Sequence, residues 1–568
     1  MTLINKWLWI TVSIFLLTAF FVRCTSKTHE VPNNHFSDEK LRIIYEFQDR
    51  RNTTALIPYL KSKKPHLREA AALSFASIKD TAALPFLYQS LYSDLDSKVK
   101  LAAAYAIGQT ASPSSAGVLL KALGLELDSN VQRSIMEACG KCANDAVIEF
   151  FIRFEQTENH LQEGHALGMY RASLIKGRYH DTFSNRCLNY LSSKSSELTK
   201  DVSAQVLLRN ANHLTSQQVV QLYQLVDNRN GLRNEVVEVL IRAKDKISAK
   251  PTEEIKKQNF SPNLGPQVLA IPNPYEVAKT LDELSFDFRN GGFTFLQNTV
   301  KSTEHIVVRL KAAELLYALI EPELNVLESD LSTVFKLQID CLKSGDMGLQ
   351  SAAAKSIEKY ASTYVEFKSV LINQLQKTKD QLVLPRQIET HLDVDRALSA
   401  LQNVLFVPLQ PKYNHAIDWN HVLEIPDTQR IEIQTTKGII KAHLFVNAAP
   451  GSVSNFLKLV EDSFYDAKYF HRVVANFVIQ GGCPRGDGWG SLDWSQRSEF
   501  SNYEAYTPGT IGLASSGNDT EGVQFFITHT NTPHLDGRYT IFGRVYEGMD
   551  VVNSIAVGDQ ILTIRKIK

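Results

Sequence analysis

"FHRVVANFVIQGG", residues 470–482, sets the apolar residues Val473, Val474, Phe477, Val478 and Ile479 between His471 and Arg472 on one side and Gln480 with two glycines on the other. A short apolar run closed by glycines reads as a strand. A plain core strand has no use for a long cation at one end and an amide before the glycine pair, so the stretch calls for chemistry as well as packing. Its surroundings are strand-rich. "RIEIQTTKGIIKAHLF", from Arg430, alternates apolar and polar residues around Lys437-Gly438, a hairpin signal. "PGSVSNFLKLVEDSFYD", from Pro450, sets Val453, Phe456, Leu457 and Val460 on one helical face. "GTIGLAS", "VQFFITH" and "YTIFGRV" follow as further strands. Few helices and many short strands with glycine-rich turns predict a closed or nearly closed antiparallel barrel over 429–568.

The chain ahead of this region has a different character. At 568 residues it is too long for one core, and its 61 basic side chains balance its 61 acidic ones. Such balance gives no reason to expect nucleic acid as a partner. At the N-terminus, Lys6 precedes the uncharged run "WLWITVSIFLLTAFFV", then Arg23 and Cys24. A basic start and an apolar stretch of that length read as a signal segment, short for a membrane-spanning helix. The cysteine directly after it resembles a bacterial lipoprotein signal, in which Cys24 would be lipidated; Arg23 stands where that family usually has a small residue. Residues 1–24 are therefore expected to be a signal peptide or lipoprotein-type anchor, and the rest of the chain to be extracytoplasmic and membrane-anchored, in a bacterial periplasm or outer envelope. Six cysteines in this length do not make a disulfide scaffold.

Between these ends the sequence repeats. Leu67, Val99 and Val131 are spaced by 32, as are Ala71, Ala103 and Ile135, and Phe75, Ile107 and Cys139. Steps of four within each copy keep these positions on one helical face. The small residues Ala76, Gly108 and Gly140 follow in register, where helices approach closely. The pattern resembles HEAT-type helix pairs, in which stacked neighbours bury stripes that one pair cannot bury alone. Repeats are expected over 37–260 and, after the proline-rich break "SPNLGPQVLAIPNP", over 275–405, with a linker at 406–428. The register assigns Cys139 of "CGKC" to packing rather than to a redox pair.

The fold class is thus multidomain: an all-α HEAT-like solenoid, then a mainly antiparallel β-barrel with two helices. Here the motifs "YFHRVVANFVIQGG", "GTIGLASSGNDTEGVQFFITHT" and "HLDGRYTIFGRVYEGMDVV", after the helix at Pro450, stand in the order of the cyclophilin-type peptidyl-prolyl isomerases, which this region resembles. The resemblance implies an eight-stranded antiparallel barrel closed by two helices, an outer groove, and no cofactor or metal. It implies that Arg472 is the catalytic arginine, that Gln480 holds the substrate backbone and the arginine, and that His471 completes the polar set. Phe477, Val478, Phe526 and Leu535 would receive the proline ring, with Gln524, Ser515, His534 and Tyr539 lining the groove. His534 stands where many members have tryptophan, and Ser515-Ser516 replaces an asparagine-alanine pair.

The chemistry gives the opening stretch its purpose. An Xaa-Pro bond has a rotation barrier of about 18–20 kcal/mol, and uncatalysed exchange takes about tens to hundreds of seconds. Turnover in about a millisecond needs roughly 7 kcal/mol off that barrier. A cation near the proline nitrogen favours the twisted amide, whose lone pair has become available. The expected function is prolyl isomerisation that assists exported or envelope proteins, with proline-containing polypeptides as partners and the array as a protein-binding surface. The alternatives are a non-catalytic proline-motif scaffold and a holdase chaperone.

Overall fold

The computed structural model describes residues 33–227 except 156, residues 258–286, 291–319, 328–409 except 365, and 415–567, with the single positions 236 and 411. The expected signal segment and Cys24 lie outside the described residues. Among the described residues, no helix is long and apolar enough to cross a membrane.

The repeat becomes a stack of antiparallel helix pairs. One layer consists of α1 (Glu39–Asp49), α2 (Pro65–Ile78), α3 (Ser97–Gln109), α4 (Ser129–Lys141), α5 (Asn159–Ser173) and α6 (Glu197–Arg209). Shorter helices such as Leu84–Ser93 and Ala116–Leu125 return between them. Local chemistry starts several of these helices: Asp96 and Asp128 accept backbone N–H groups at the first turns of α3 and α4, and Pro65 occupies the first position of α2. All nine positions of the 32-residue register are buried. Close approach is literal at Gly140, where a Cβ would stand 2.1 Å from the Gly168 carbonyl oxygen. Cys139 and Cys142 are fully buried, and burial pushes the Cys142 thiol up to about 12, which suits packing rather than redox exchange.

A second block contains α7 (Pro274–Glu283), α8 (Ile306–Ala318), α9 (Met347–Lys359) and α10 (Ile388–Gln402), with its own apolar core and a smaller cluster between α7 and α8. Two features depart from the sequence reading. A two-residue parallel strand pair, Gln258–Asn259 with Leu284–Ser285, lies in the region expected to be all-helical. The segment expected to be a plain linker holds a short helix, Trp419–Glu424, started by Asp418 and tied to the N-terminal end by the Asn34 amide, which donates to the Val422 and Ile425 carbonyls.

The C-terminal region is one curled antiparallel sheet. Its strands are β1 (Arg430–Thr435), β2 (Gly438–Leu444), β3 (Lys468–Tyr469), β4 (Arg472–Val474), β5 (Val478–Gly481), β6 (Thr510–Leu513), β7 (Phe525–Thr528), β8 (Ile541–Glu547) and β9 (Gln560–Ile567), in the order β3-β9-β1-β2-β8-β6-β7-β5-β4. Nine strands stand where the resemblance implies eight. The edge strands β3 and β4 are consecutive in the chain with only Phe470 and His471 between them, so the sheet curls until its ends share one segment. Helices α11 (Pro450–Glu461) and α12 (Met549–Ser554) pack on it.

One buried group in this region gives a pH signature. Glu521 is fully buried, its Oε1 accepts from the Thr540 hydroxyl at 3.2 Å, and its Oε2 has no hydrogen-bond partner among the described residues. Burial pushes its carboxyl up to about 7. The folded chain thus keeps a proton that the unfolded chain releases near 4.5, so stability contributed by this group is lost as pH rises through 7. Glu521→Gln is expected to gain about 1 kcal/mol relative to the native chain between pH 6 and pH 8, read as the difference between two urea-unfolding series. A constant difference across that range would exclude the assigned proton.

Candidate active site

The quoted stretch is a hairpin rather than one strand. β4 and β5 are joined through Ala475, Asn476 and Phe477, with Asn476 in the left-handed region at φ 59°. Asparagine tolerates that backbone better than most residues. The register pairs Arg472 with Gln480 and Val474 with Val478. The cation and the amide that looked like opposite ends of a run are therefore cross-strand neighbours.

A chain of side-chain amides continues from this pair. Arg472 Nη1 is 3.5 Å from Gln480 Oε1, Gln480 Nε2 donates to Gln524 Oε1 at 3.0 Å, and Gln524 Nε2 donates to the carbonyls of Gly488 and Gly490 at 2.7 and 2.9 Å. Gln524 reaches Gln480 because β7 pairs with β5, placing Phe526 opposite Gln480. The Arg472 guanidinium is exposed and stands over the Phe477 ring, 5.8 Å from its centroid.

Beside this polar line lies a small apolar cluster distinct from the main core of the sheet. Val478, Phe526 and Leu535, all expected there, meet Tyr506 and Ile541, with Phe477, Ala514 and Tyr539 at the margin. Tyr506 stacks on Phe526 at 5.4 Å between ring centroids, and Tyr539 meets Phe526 edge-on at 5.6 Å. Tyr506, Ile541 and Ala514 were missed by the sequence reading. Tyr506 lies in an irregular loop between motifs, where periodicity carries no signal. Ser515 follows β6 and is half-buried, and the Ala514 N–H bonds the Gln524 carbonyl at 2.9 Å, setting the serine beside the amide line.

The two histidines differ in placement. His471 packs under Gly488, where a Cβ would come within 3.2 Å of a ring carbon, and neither ring nitrogen has a hydrogen-bond partner among the described residues. Burial lowers its imidazole to about 4, so it is neutral at physiological pH. His534 follows Pro533 in a single 3-10 turn and stacks on Phe477 at 5.1 Å. It fills the edge of the cluster as a flat ring and is also neutral, lowered to about 4 by burial and then by Arg538, Arg171 and Arg209. Cys483 is buried under the Gly490 N–H, 3.2 Å from its sulfur, a structural position.

The helical array grips both rims of this site. On one side the loop 531–538, which carries His534 and Leu535, docks on the first block. Asn531 donates to Asp201 of α6 at 2.5 Å, and Arg171 of α5 lies 3.7 Å from Asp536 and 2.8 Å from Glu137 of α4. On the other side the loop held by Gln524 docks on the second block. Tyr275 of α7 donates to the Gly486 carbonyl at 2.7 Å, and Arg485 donates to Asp346 at 2.7 Å. Trp489 packs at Gly348 of α9 and lies under Lys355, 4.5 Å from the ring centroid.

Residues 430–567 match the family model described as cyclophilin type peptidyl-prolyl cis-trans isomerase/CLD, and residues 39–108 match HEAT repeats. A peptidyl-prolyl cis-trans isomerase of Synechococcus elongatus is 44% identical over 140 residues, which cover 24% of this chain and 95% of that protein. One of Helicobacter pylori is 42% identical over 144 residues, 25% of this chain and 88% of that protein. Peptidyl-prolyl cis-trans isomerase B of Bacillus subtilis is 42% identical over 127 residues, 22% of this chain and 89% of that protein. About a quarter of this chain thus spans most of each of these relatives, and through its curled sheet the chain belongs to the cyclophilin-type peptidyl-prolyl cis-trans isomerases.

Proposed function

We propose that the hairpin pair Arg472–Gln480 and the adjoining apolar cluster are the isomerisation site, acting on proline segments of exported or envelope proteins. The observation that carries this reading is the cross-strand register, which sets one exposed guanidinium beside a pocket of Val478, Phe526 and Leu535. The pocket takes the proline ring by apolar contact, leaving the preceding amide over the hairpin. Phe477 and Gln480 position the Arg472 guanidinium. Its N–H groups donate to the proline nitrogen as the bond twists and the lone pair leaves conjugation, so the interaction strengthens toward the transition state. Gln480, Gln524, Ser515 and Tyr539 present polar groups to the substrate backbone, while neutral His471 and His534 shape the two edges. No covalent intermediate enters this mechanism.

Gln480→Ala removes the middle of the amide line. A hydrogen bond to a charged group contributes about 1.5–3 kcal/mol, so kcat/KM on an Ala-Pro peptide is expected to fall by about tenfold or more, with the fold retained. An unchanged value would remove Gln480 from the site.

In the same proposal, residues 1–24 anchor the chain outside the cytoplasm through a lipidated Cys24, and the array recruits client chains to the groove. Support for the second part comes from the docking of both groove rims on the array, which places helical surface beside the groove. The test is proline-limited refolding of a protein substrate by the full chain, set against its turnover of a short peptide. A large excess on the protein substrate supports recruitment, and equal efficiency on both excludes it. Metabolic labelling with palmitate, comparing the native chain with Cys24→Ser, decides the anchor.

A further inference from the structure

The His534 edge of the groove is built jointly by the sheet domain and the array, and it carries cations that the mechanism does not use. Arg171 is buried there and neutralised by Glu137 and Asp536. Two others are not neutralised. Arg538 is exposed four residues beyond His534 and forms no ion pair among the described residues. Arg209, at the end of α6, is exposed, and its Nε meets only the Ser173 carbonyl at 3.4 Å among the described residues. The Asn531–Asp201 bond and the Arg171–Asp536 pair hold α5 and α6 against the loop, so the two guanidiniums flank the same margin from opposite domains. Both act electrostatically on His534 and on Tyr170. The opposite edge is different: Lys355 is already paired with Asp393 at 3.3 Å, and Glu389 is exposed nearby on α10.

We propose that Arg209 and Arg538 form a carboxylate-binding subsite at the His534 edge of the groove, so that the enzyme prefers proline segments carrying Asp or Glu on the side that leaves the pocket over His534. A substrate running across the pocket places side chains about 3.3 Å per residue further along, so a carboxylate a few residues from the proline comes within reach of flexible arginine side chains. Arginine binds carboxylates through two parallel N–H donors, and a site offering two guanidiniums, whose neighbouring acids Asp536 and Asp201 are engaged by Arg171 and Asn531, favours Glu over Gln at the same length. The preference belongs to one side of the proline only, because the other edge presents an acid and a paired lysine. Arg209 comes from the array, so this selectivity is absent from an isomerase domain standing alone.

The inference rests on the groove assignment above, and one experiment separates the two. The full chain is assayed on a set of proline peptides with Glu or Gln at each of three positions before and after the proline, alongside Arg209→Gln/Arg538→Gln. The native chain is expected to favour Glu by about three- to tenfold in kcat/KM on one side only, falling toward unity at high salt. The double variant is expected to show a Glu/Gln ratio near one. Because both peptides are read on the same preparation, the ratio does not depend on how much of a variant is folded. Turnover of the Gln peptides without a Glu preference would overturn the subsite alone, as would a preference that survives in the double variant. No turnover of any Gln peptide would overturn the groove assignment and the subsite together.

Discussion

Arg472→Ala is expected to lower kcat/KM for cis/trans exchange of an Ala-Pro or Gly-Pro peptide by about a hundred- to a thousandfold in the full chain, with the unfolding midpoint unchanged. The size follows from the role: removing one preorganised donor aimed at developing charge costs about 2.7–4 kcal/mol of transition-state stabilisation. Stability is unaffected because the guanidinium is exposed; it contacts a neighbouring ring and an amide, and forms no ion pair with an acid among the described residues. The loss should fall mainly on kcat, since the pocket of Val478, Phe526 and Leu535 still binds the ring. Arg472→Lys should recover only part, because a point charge lacks the planar fork. Exchange by the Arg472→Ala chain at the native rate would remove the cation from the mechanism and leave the pocket as a proline-binding surface.

The second large effect concerns stability. Arg171→Met is expected to destabilise the docked state by up to about 3–5 kcal/mol, because it leaves Glu137 and Asp536, whose side chains are 21% and 22% exposed, without their shared buried cation. Lys141, 3.2 Å from Glu137, compensates one of the two acids, which places the expectation toward the lower end. Asp536 also accepts the Tyr506 N–H at 2.8 Å, so its displacement disturbs the tyrosine that stacks on Phe526. A rise in KM is therefore expected with the loss of stability. Adding Asp536→Asn in the Arg171→Met background should restore part of both, since the uncompensated charge is gone. Urea unfolding and peptide kinetics read the two effects. A stability change below about 1 kcal/mol would mean that the array and the sheet domain dock without help from this cluster.

A substantial part of this architecture was legible in the amino-acid order. The 32-residue register of Leu67, Val99 and Val131 predicts stacked helix pairs because burial on one face repeats with the geometry of the helix, a local property. The motif order from Pro450 to Val552 points to one family, and with it to Arg472, Gln480, Phe526 and Leu535. Chain order alone also identified Cys139 as a packing residue, since it occupies the position of Phe75 and Ile107.

What the tertiary structure decided lies in contacts between residues distant in the chain. The hairpin turn at Asn476 makes Arg472 and Gln480 direct neighbours, a matter of register that an apolar run of this length leaves open. Tyr506 and Ile541 enter the pocket from a loop and from a strand whose patterns match any core position. Above all, the grip of the array on the groove, through Arg171 on Asp536, Asp201 on Asn531 and Tyr275 on Gly486, joins positions hundreds of residues apart. Periodicity reports which face of an element is buried; it carries no record of what meets that face when the chain path brings two domains together. The two helical blocks and the curled sheet are each written locally, and the edge where Arg209 meets Arg538 exists only once they are assembled.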